Sequence, residues 1–402
     1  MQREQAVPEK TPKKLASGGA ISIARQFLRT VFVRIFYYSQ MIRIARRAAR
    51  NYSFGSLPGP AKRKLQRHPE SKFAILCYHR VGTAGVPLYS RLPEKTFAAQ
   101  MKHLKRNYRI VPLNQLCCEL QEGRRVAPTV AVTFDDGYRD LYTFAFPVLQ
   151  AYSIPATVYL IGRCMETGEA PWYDRIFLAL ENATGDFEVE LRTRCVFKVR
   201  SSAERAAAAW EIISFLKSIP DSNRRVWCAE FRNRFPVNEE ALSGRMLDWQ
   251  QVRKMLKNGV HFGAHTMTHP AVSRLHSSQM TEELLESKHL LEGGLDAPVE
   301  DFAYPFGKPE DFSGAAQDFL ANSGFRSAVT TVEGFNSRGA NLLELRRLQV
   351  GNGTSRANFS FELCRALLGS DPAKNEAESE RLANLVPGRR SECREPVRQE
   401  HA

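Results

Sequence analysis

The 402-residue chain has no long uncharged apolar run, no CxxC pair and almost no net charge over most of its length. Each absence excludes something. The eight cysteines stand at 77, 117, 118, 164, 195, 228, 364 and 393, too scattered for a structural zinc site or a disulfide scaffold, and they favour a reducing compartment. The best membrane candidate, residues 21–50, is broken by Arg25, Arg29 and Arg34, whereas a spanning helix needs roughly 20 largely uncharged residues. The same arginines, and the want of a small-residue cleavage site, leave no clear signal peptide. Residues 1–72 hold 16 Lys/Arg against 3 Asp/Glu, and residues 73–402 hold 41 against 40, so the basic character belongs to the N-terminal arm. The body therefore lacks the basic balance of a nucleic-acid binder, and no nucleic-acid partner is expected.

What is present is a sizeable apolar complement, 43% of residues, arranged in alternating short runs. Residues 1–50 read as a basic arm. Within it Arg25, Arg29, Arg43, Arg46, Arg47 and Arg50 share one helical face, while Phe27, Val31, Ile35, Tyr38, Met41 and Ile42 lie away from it. That pattern suits peripheral contact with an anionic membrane surface through 21–50, or packing on the body or a partner, and gives a cytoplasmic or inner-membrane-associated location. Residues 51–71 read as a linker rich in Pro, Gly and basic side chains, and residues 368–402 as a disordered charged tail.

Strand patterns occur at 72–79 (KFAILCYH), 129–136 (TVAVTFDD), 156–162, 260–265, 301–307, 326–331 and 344–351, with a further candidate at 108–113. Helical patterns lie between them, including 138–152, flawed by Pro147, and 248–259, opened by an Asp248/Gln251 capping box. Residues 180–245 break the rhythm and read as a helical insertion. Apolar strands alternating with helices over roughly 290 residues predict an α/β protein, a parallel (β/α) barrel, with its chemistry at the C-terminal strand ends.

The polar clusters sit at those ends. His265 and His269, four apart after a strand, point the same way if the chain turns helically there, a common start to a zinc-type site. Alone the pair could equally cap and pack a loop. Asp135 and Asp136 precede a glycine, which alone is ordinary turn chemistry. Together they gain a reason. One divalent cation held by Asp136, His265 and His269 relieves the repulsion between the adjacent acids and lowers the pKa of a water, leaving Asp135 free to act as general base. Zinc heads the choice of metal, with cobalt, nickel and iron also suited to such a donor set.

The segments TFDDGY, HTMTHP and FAYPFG, in this order, resemble the first three motifs of the polysaccharide deacetylase (NodB-like) carbohydrate esterases, over about residues 72–367 apart from the insertion. The resemblance implies a distorted parallel barrel of about seven strands and removal of acetyl groups from an N-acetylated glycan. It implies Asp135 as base, Asp136, His265 and His269 as metal ligands, and an oxyanion-stabilising N–H at Phe306 after Tyr304 and Pro305. Two departures stand out. The arginine that buttresses the base in the family falls on Ala303, so Arg346 or Arg347 becomes the candidate for that charge. The family's late general-acid histidine is missing, so His79, in a Tyr-His strand end used by a subset of the family, becomes the candidate acid. Trp172 and Asp174 are candidates for the substrate groove, or else for a helix start with a core aromatic. O-acetyl ester hydrolysis, a catalytically inactive membrane-associated carbohydrate-binding protein, and phosphoester cleavage are the competing readings. The last needs a second metal for which few Asp or His positions remain.

Overall fold

The computed structural model describes residues 73–83, 91–122, 129–181 and 183–368. The basic arm at 1–50, the linker at 51–71 and the tail beyond 368 lie outside the described residues, so the expected membrane contact through 21–50 does too.

Seven strands carry the architecture: β1 (Phe73–Tyr78), β2 (Thr129–Phe134), β3 (Ala156–Leu160), β4 (Val260–Ala264), β5 (Asp301–Ala303), β6 (Ser327–Glu333) and β7 (Leu345–Gln349). Each pairs in parallel with the next, and β7 pairs with β1, which closes the barrel. The β6–β7 register shifts between Val329 and Glu333, a local distortion of the expected kind. Closure explains the sequence pattern. All six residues of β1 and all six of β2 are buried, because one face meets the lumen and the other meets helices.

Alternation sorts the two faces. Phe73 and Ile75 join Ala131, Tyr159, Ala303, Val329 and Leu345 in the lumen cluster. Leu76, Tyr78, Val130, Val132 and Phe134 face outward, under the helices Glu94–Asn107 and Arg356–Leu368. Each such side chain contributes about 1.5–3 kcal/mol by leaving water. Gly263 makes room in β4: a Cβ there would lie 2.7 Å from the Tyr159 ring and 2.6 Å from Asp301 O.

Three expectations change in detail. The strand expected at 108–113 shrinks to Arg109–Ile110, because Leu113 already opens a helix. The helix at 138–152 absorbs Pro147 by forming a π-turn over Leu141–Ala145 before the α-helix Phe146–Ala151, since proline offers no N–H to a regular turn. The insertion is not purely helical. It opens with an antiparallel hairpin, Asp186–Glu190 with Arg194–Lys198, and continues with the helices Ser202–Ser218 and Asp221–Arg234. The segment DFEVE alternates in the way a half-buried strand requires, with Phe187 and Val189 turned into the insertion's own core. No helix among the described residues is long and apolar enough to cross a membrane.

Candidate active site

β1 and β2 run in register to Tyr78 opposite Phe134, so the residues that follow them, His79 and Asp135, emerge side by side. Asp135 N–H donates to Tyr78 O at 3.0 Å, which fixes that emergence. Asp135 belongs to the lumen parity of β2, with Ala131 and Thr133. There it meets Arg347 from β7: Nη1 reaches Oδ1 at 2.7 Å and Nη2 reaches Oδ2 at 2.6 Å, both groups buried. Burial alone would raise the Asp135 pKa. The Arg347 charge and its paired hydrogen bonds more than offset this and hold the carboxyl well below the usual carboxylate range. Of the two arginines considered, Arg347 takes the place beside Asp135. Arg346 lies on the opposite face of β7, its side chain over Gly334. Ala303, where the family arginine was sought, sits in the lumen wall.

Asp136 leaves the strand with φ of +72° and Gly137 follows at +80°, a reversal that sends the two adjacent carboxylates in different directions. A side chain at Gly137 would in addition meet Leu160, 2.6 Å from its Cβ position. Asp136 Oδ1 lies 3.6 Å from His265 Nε2 and 3.5 Å from His269 Nε2. The two histidines converge, but not by a helical turn. Thr266 and His269 adopt φ of +63° and +60°, and the His269 N–H donates to Thr266 Oγ1 at 2.9 Å to close the loop.

The donor set fits a metal ion. The three ligand atoms lie within 4.8 Å of one another and all three residues are buried. The Asp136–histidine separations are long for hydrogen bonds. They match the edge of a tetrahedron, roughly 3.4 Å when ligands stand about 2.1 Å from a central ion. His265 Nδ1 must carry its proton, since it donates to Ala303 O at 2.7 Å, and that turns the Nε2 lone pair toward Asp136. Burial lowers the pKa of both imidazoles, His269 further than His265, so both stay neutral and free to ligate.

His79 stands at the rim, its side chain 38% exposed and its Nε2 3.9 Å from Asp135 Oδ2. Phe306 has φ of +60°, and its ring lies 5.0 Å from that of His269. Its N–H finds no protein acceptor among the described residues, whereas the next N–H, that of Gly307, donates to Pro305 O. Tyr304 does not face the cleft: it is fully buried, stacks on Phe312 and donates its hydroxyl to Leu343 O, so its part is to anchor the Pro305–Phe306 turn.

Two candidates take other places. Asp174 is buried, accepts from the Tyr138 hydroxyl at 2.6 Å and pairs with Arg245 at 3.1 Å, and so braces the helix Trp172–Glu181. Trp172 lines a neighbouring cavity of about 560 Å³ and touches the site from behind, its Nε1 donating to His269 O at 3.3 Å. The cleft over the triad, about 490 Å³, is lined instead by Tyr173, Phe177, Trp210 and Phe306, with His79 and the acids.

Sequence reasoning missed three parts of this arrangement. The Cys77 thiol, kept protonated by burial, donates to Asp135 Oδ2 at 3.4 Å; it shares the lumen parity of Ile75, and that alternation was the available signal. Thr268, inside the histidine loop, donates to Glu283 and accepts from Arg224, and Arg225 joins Glu283 to Asp221. The second insertion helix thereby pins the loop that carries His269. Trp210 is the third.

The family profile described as "Polysaccharide deacetylase" matches residues 122–327. The chain belongs to the polysaccharide deacetylase family. His79 and Arg347 fall outside the matched span, so the barrel fold, not the matched segment alone, completes the site. YxkH of Bacillus subtilis (strain 168), whose name describes a polysaccharide deacetylase, is 24% identical over 297 residues, 73% of this chain and 77% of that one. The poly-beta-1,6-N-acetyl-D-glucosamine N-deacetylase of Staphylococcus epidermidis is 25% identical over 256 residues, 58% of this chain and 85% of that one. Among solved structures, the Streptococcus pyogenes deacetylase PplD in complex with acetate shares the fold, with a TM-score of 0.50 at 20% identity over 74% of this chain and 99% of that one.

Proposed function

We propose that this protein is a metal-dependent hydrolase that removes N-acetyl groups from the amino sugars of a polysaccharide or glycolipid. One observation carries the reading: a three-donor metal cradle, Asp136, His265 and His269, stands beside a separate carboxylate, Asp135, that a buried arginine holds in one orientation. The family and the named glucosaminide deacetylase among the relatives support the substrate class.

A divalent ion in the cradle, zinc in the first instance, supplies acidification of water and polarisation of a carbonyl. The chain's own groups do the rest. Asp135 accepts a proton as water adds to the acetyl carbon. The Phe306 N–H donates to the oxygen that gains charge. His79, at the open side of the base, gives a proton to the departing nitrogen as the carbon–nitrogen bond breaks, yielding acetate and a free amine. Proton exchange between Asp135 and His79, 3.9 Å apart, resets both groups. The basic arm adds to this reading a peripheral contact with an anionic membrane, where a lipid-linked or nascent glycan would be met.

The direct test is acetate release from N-acetylglucosamine oligomers. Chelation is expected to abolish it, and zinc or cobalt to restore it. The same ion should raise the unfolding midpoint, since a ligand at 100 times its Kd stabilises the folded state by about 2.7 kcal/mol. Activity unchanged after complete metal removal would refute the reading. His79→Ala separates the two acetyl chemistries. An amine leaves only when protonated, so N-deacetylation should fall about 10²–10⁴-fold, while release from an O-acetyl ester with a good leaving group falls far less. Equal losses on both substrates would remove His79 from the acid role.

A further inference from the structure

The first insertion helix, Ser202–Ser218, is apolar on more of its surface than its own packing uses. Ala208, Ala209, Ile212, Ile213 and Leu216 are buried in the insertion's core. Trp210 is not: it is 51% exposed, one of three large apolar side chains so exposed among the described residues, and the one that is aromatic. It does not face open solvent at random. Ala206, Trp210 and Ile213, at i, i+4 and i+7, line the same cleft as Asp135, Asp136, His265 and His269.

Three contacts hold this wall in place. The Trp210 ring meets Phe177 edge to face at 5.2 Å, and about half of the Trp210 surface stays exposed beside that contact. At the end of the helix Lys217 pairs with buried Asp311 at 2.8 Å and lies over the Phe306 ring at 5.1 Å. The platform is thus tied to the turn that carries the Phe306 N–H, and its distance from the reacting centre is fixed by packing.

We propose that Trp210 is a specificity residue: it stacks under the sugar next to the one being deacetylated and makes the enzyme selective for oligosaccharides over single sugars. This rests on the deacetylase reading above. The chemistry suits the occupant. A pyranose presents a patch of C–H groups, slightly positive and apolar, to the negative face of an indole, while its hydroxyls stay at the edge in reach of polar groups and water. The cleft, about 490 Å³, is of the size that encloses a whole small molecule rather than an acetyl group alone. Its polar floor at the triad and its apolar wall at Trp210 and Phe177 match a sugar chain with one ring over the metal cradle and the next against the wall.

The test is kcat/KM on N-acetylglucosamine monomer, dimer and tetramer for the wild type, Trp210→Ala and Trp210→Phe. The wild type is expected to prefer the tetramer. Trp210→Ala should cut the tetramer-to-monomer ratio about tenfold, chiefly through KM, and Trp210→Phe, which keeps a π face, should recover most of it. A merely structural role would lower activity on every length alike and leave the ratio unmoved. A wild type without chain-length preference, an unchanged ratio in Trp210→Ala, or equal impairment in both variants overturns the inference while the deacetylase reading stands. Acetate release from none of the three substrates by the metal-loaded wild type overturns both.

Discussion

Asp135→Asn is expected to lower kcat by about 10²–10⁴-fold, the range over which a positioned general base contributes, with the divalent ion still bound. The two acids differ in surroundings, which is why one can be lost without the other. Asp136 faces the two histidine Nε2 atoms, and Asp135 faces Arg347. The asparagine keeps the shape but cannot take a proton, and its amide presents N–H to a guanidinium that also only donates. The variant should therefore lose some stability as well as turnover. Metal content, the unfolding midpoint and kcat measured on one preparation separate the effects. Turnover within a few-fold of wild type, with full metal occupancy, would sink the assignment of Asp135 as base. So would a loss of activity that tracks metal loss alone.

The fold was readable because a closed parallel barrel writes itself plainly: FAILCY and TVAVTF are short runs of apolar and β-branched residues, and the polar pairs stand where those runs stop. The convergence of Asp136, His265 and His269 was readable for the same reason, since each stands shortly after the end of a strand. The arginine was harder. In LRRLQ the two leucines lie on opposite faces of β7, Leu345 in the lumen and Leu348 outside, so periodicity gives no parity by which to choose Arg346 or Arg347. Only the partner, Asp135 across the barrel, decides it, and that contact spans 212 residues. The groove aromatics were hard for a similar reason. Trp172 and Trp210 both sit on helices, and which indole faces the cleft depends on how the insertion docks. The docking is set by pairs such as Lys217–Asp311 and Arg224–Thr268, which no local pattern announces.

Arg347→Met tests the buried pair itself, and its effect should depend on pH in a definite direction. Arg347 is fully buried and also donates to Thr330 O at 2.7 Å and Thr133 Oγ1 at 3.1 Å, so its removal strands a carboxylate and unpairs a carbonyl. Breaking a buried pair by removing one partner costs about 3–5 kcal/mol, and the unfolding free energy at pH 7 should fall by that amount. In the wild type the folded-state pKa of Asp135 is depressed. Its stabilising contribution is thus complete above the unfolded-state value, about 3.9, and is lost only as pH falls toward the folded one. In the variant, burial loses its main counterweight, with only the weaker pull of His265 and His79 left against it, so the folded-state pKa should rise above the ordinary carboxylate value and the charge should destabilise the fold as pH climbs through that range. The difference between the two proteins should therefore be greatest near neutrality, smaller at pH 4, and should fade only as pH drops well below 4, as urea titrations of metal-free protein at pH 4 and pH 7 can measure. The kinetic consequence follows from the same sign. In the proposed mechanism the guanidinium would keep Asp135 ionised and aimed. Without it the acid limb of the kcat profile should move to higher pH, because a protonated carboxyl cannot accept the proton. A uniform loss of stability at pH 4 and pH 7, with an unshifted acid limb, would mean that Arg347 fills space in the lumen and does not govern the charge of Asp135.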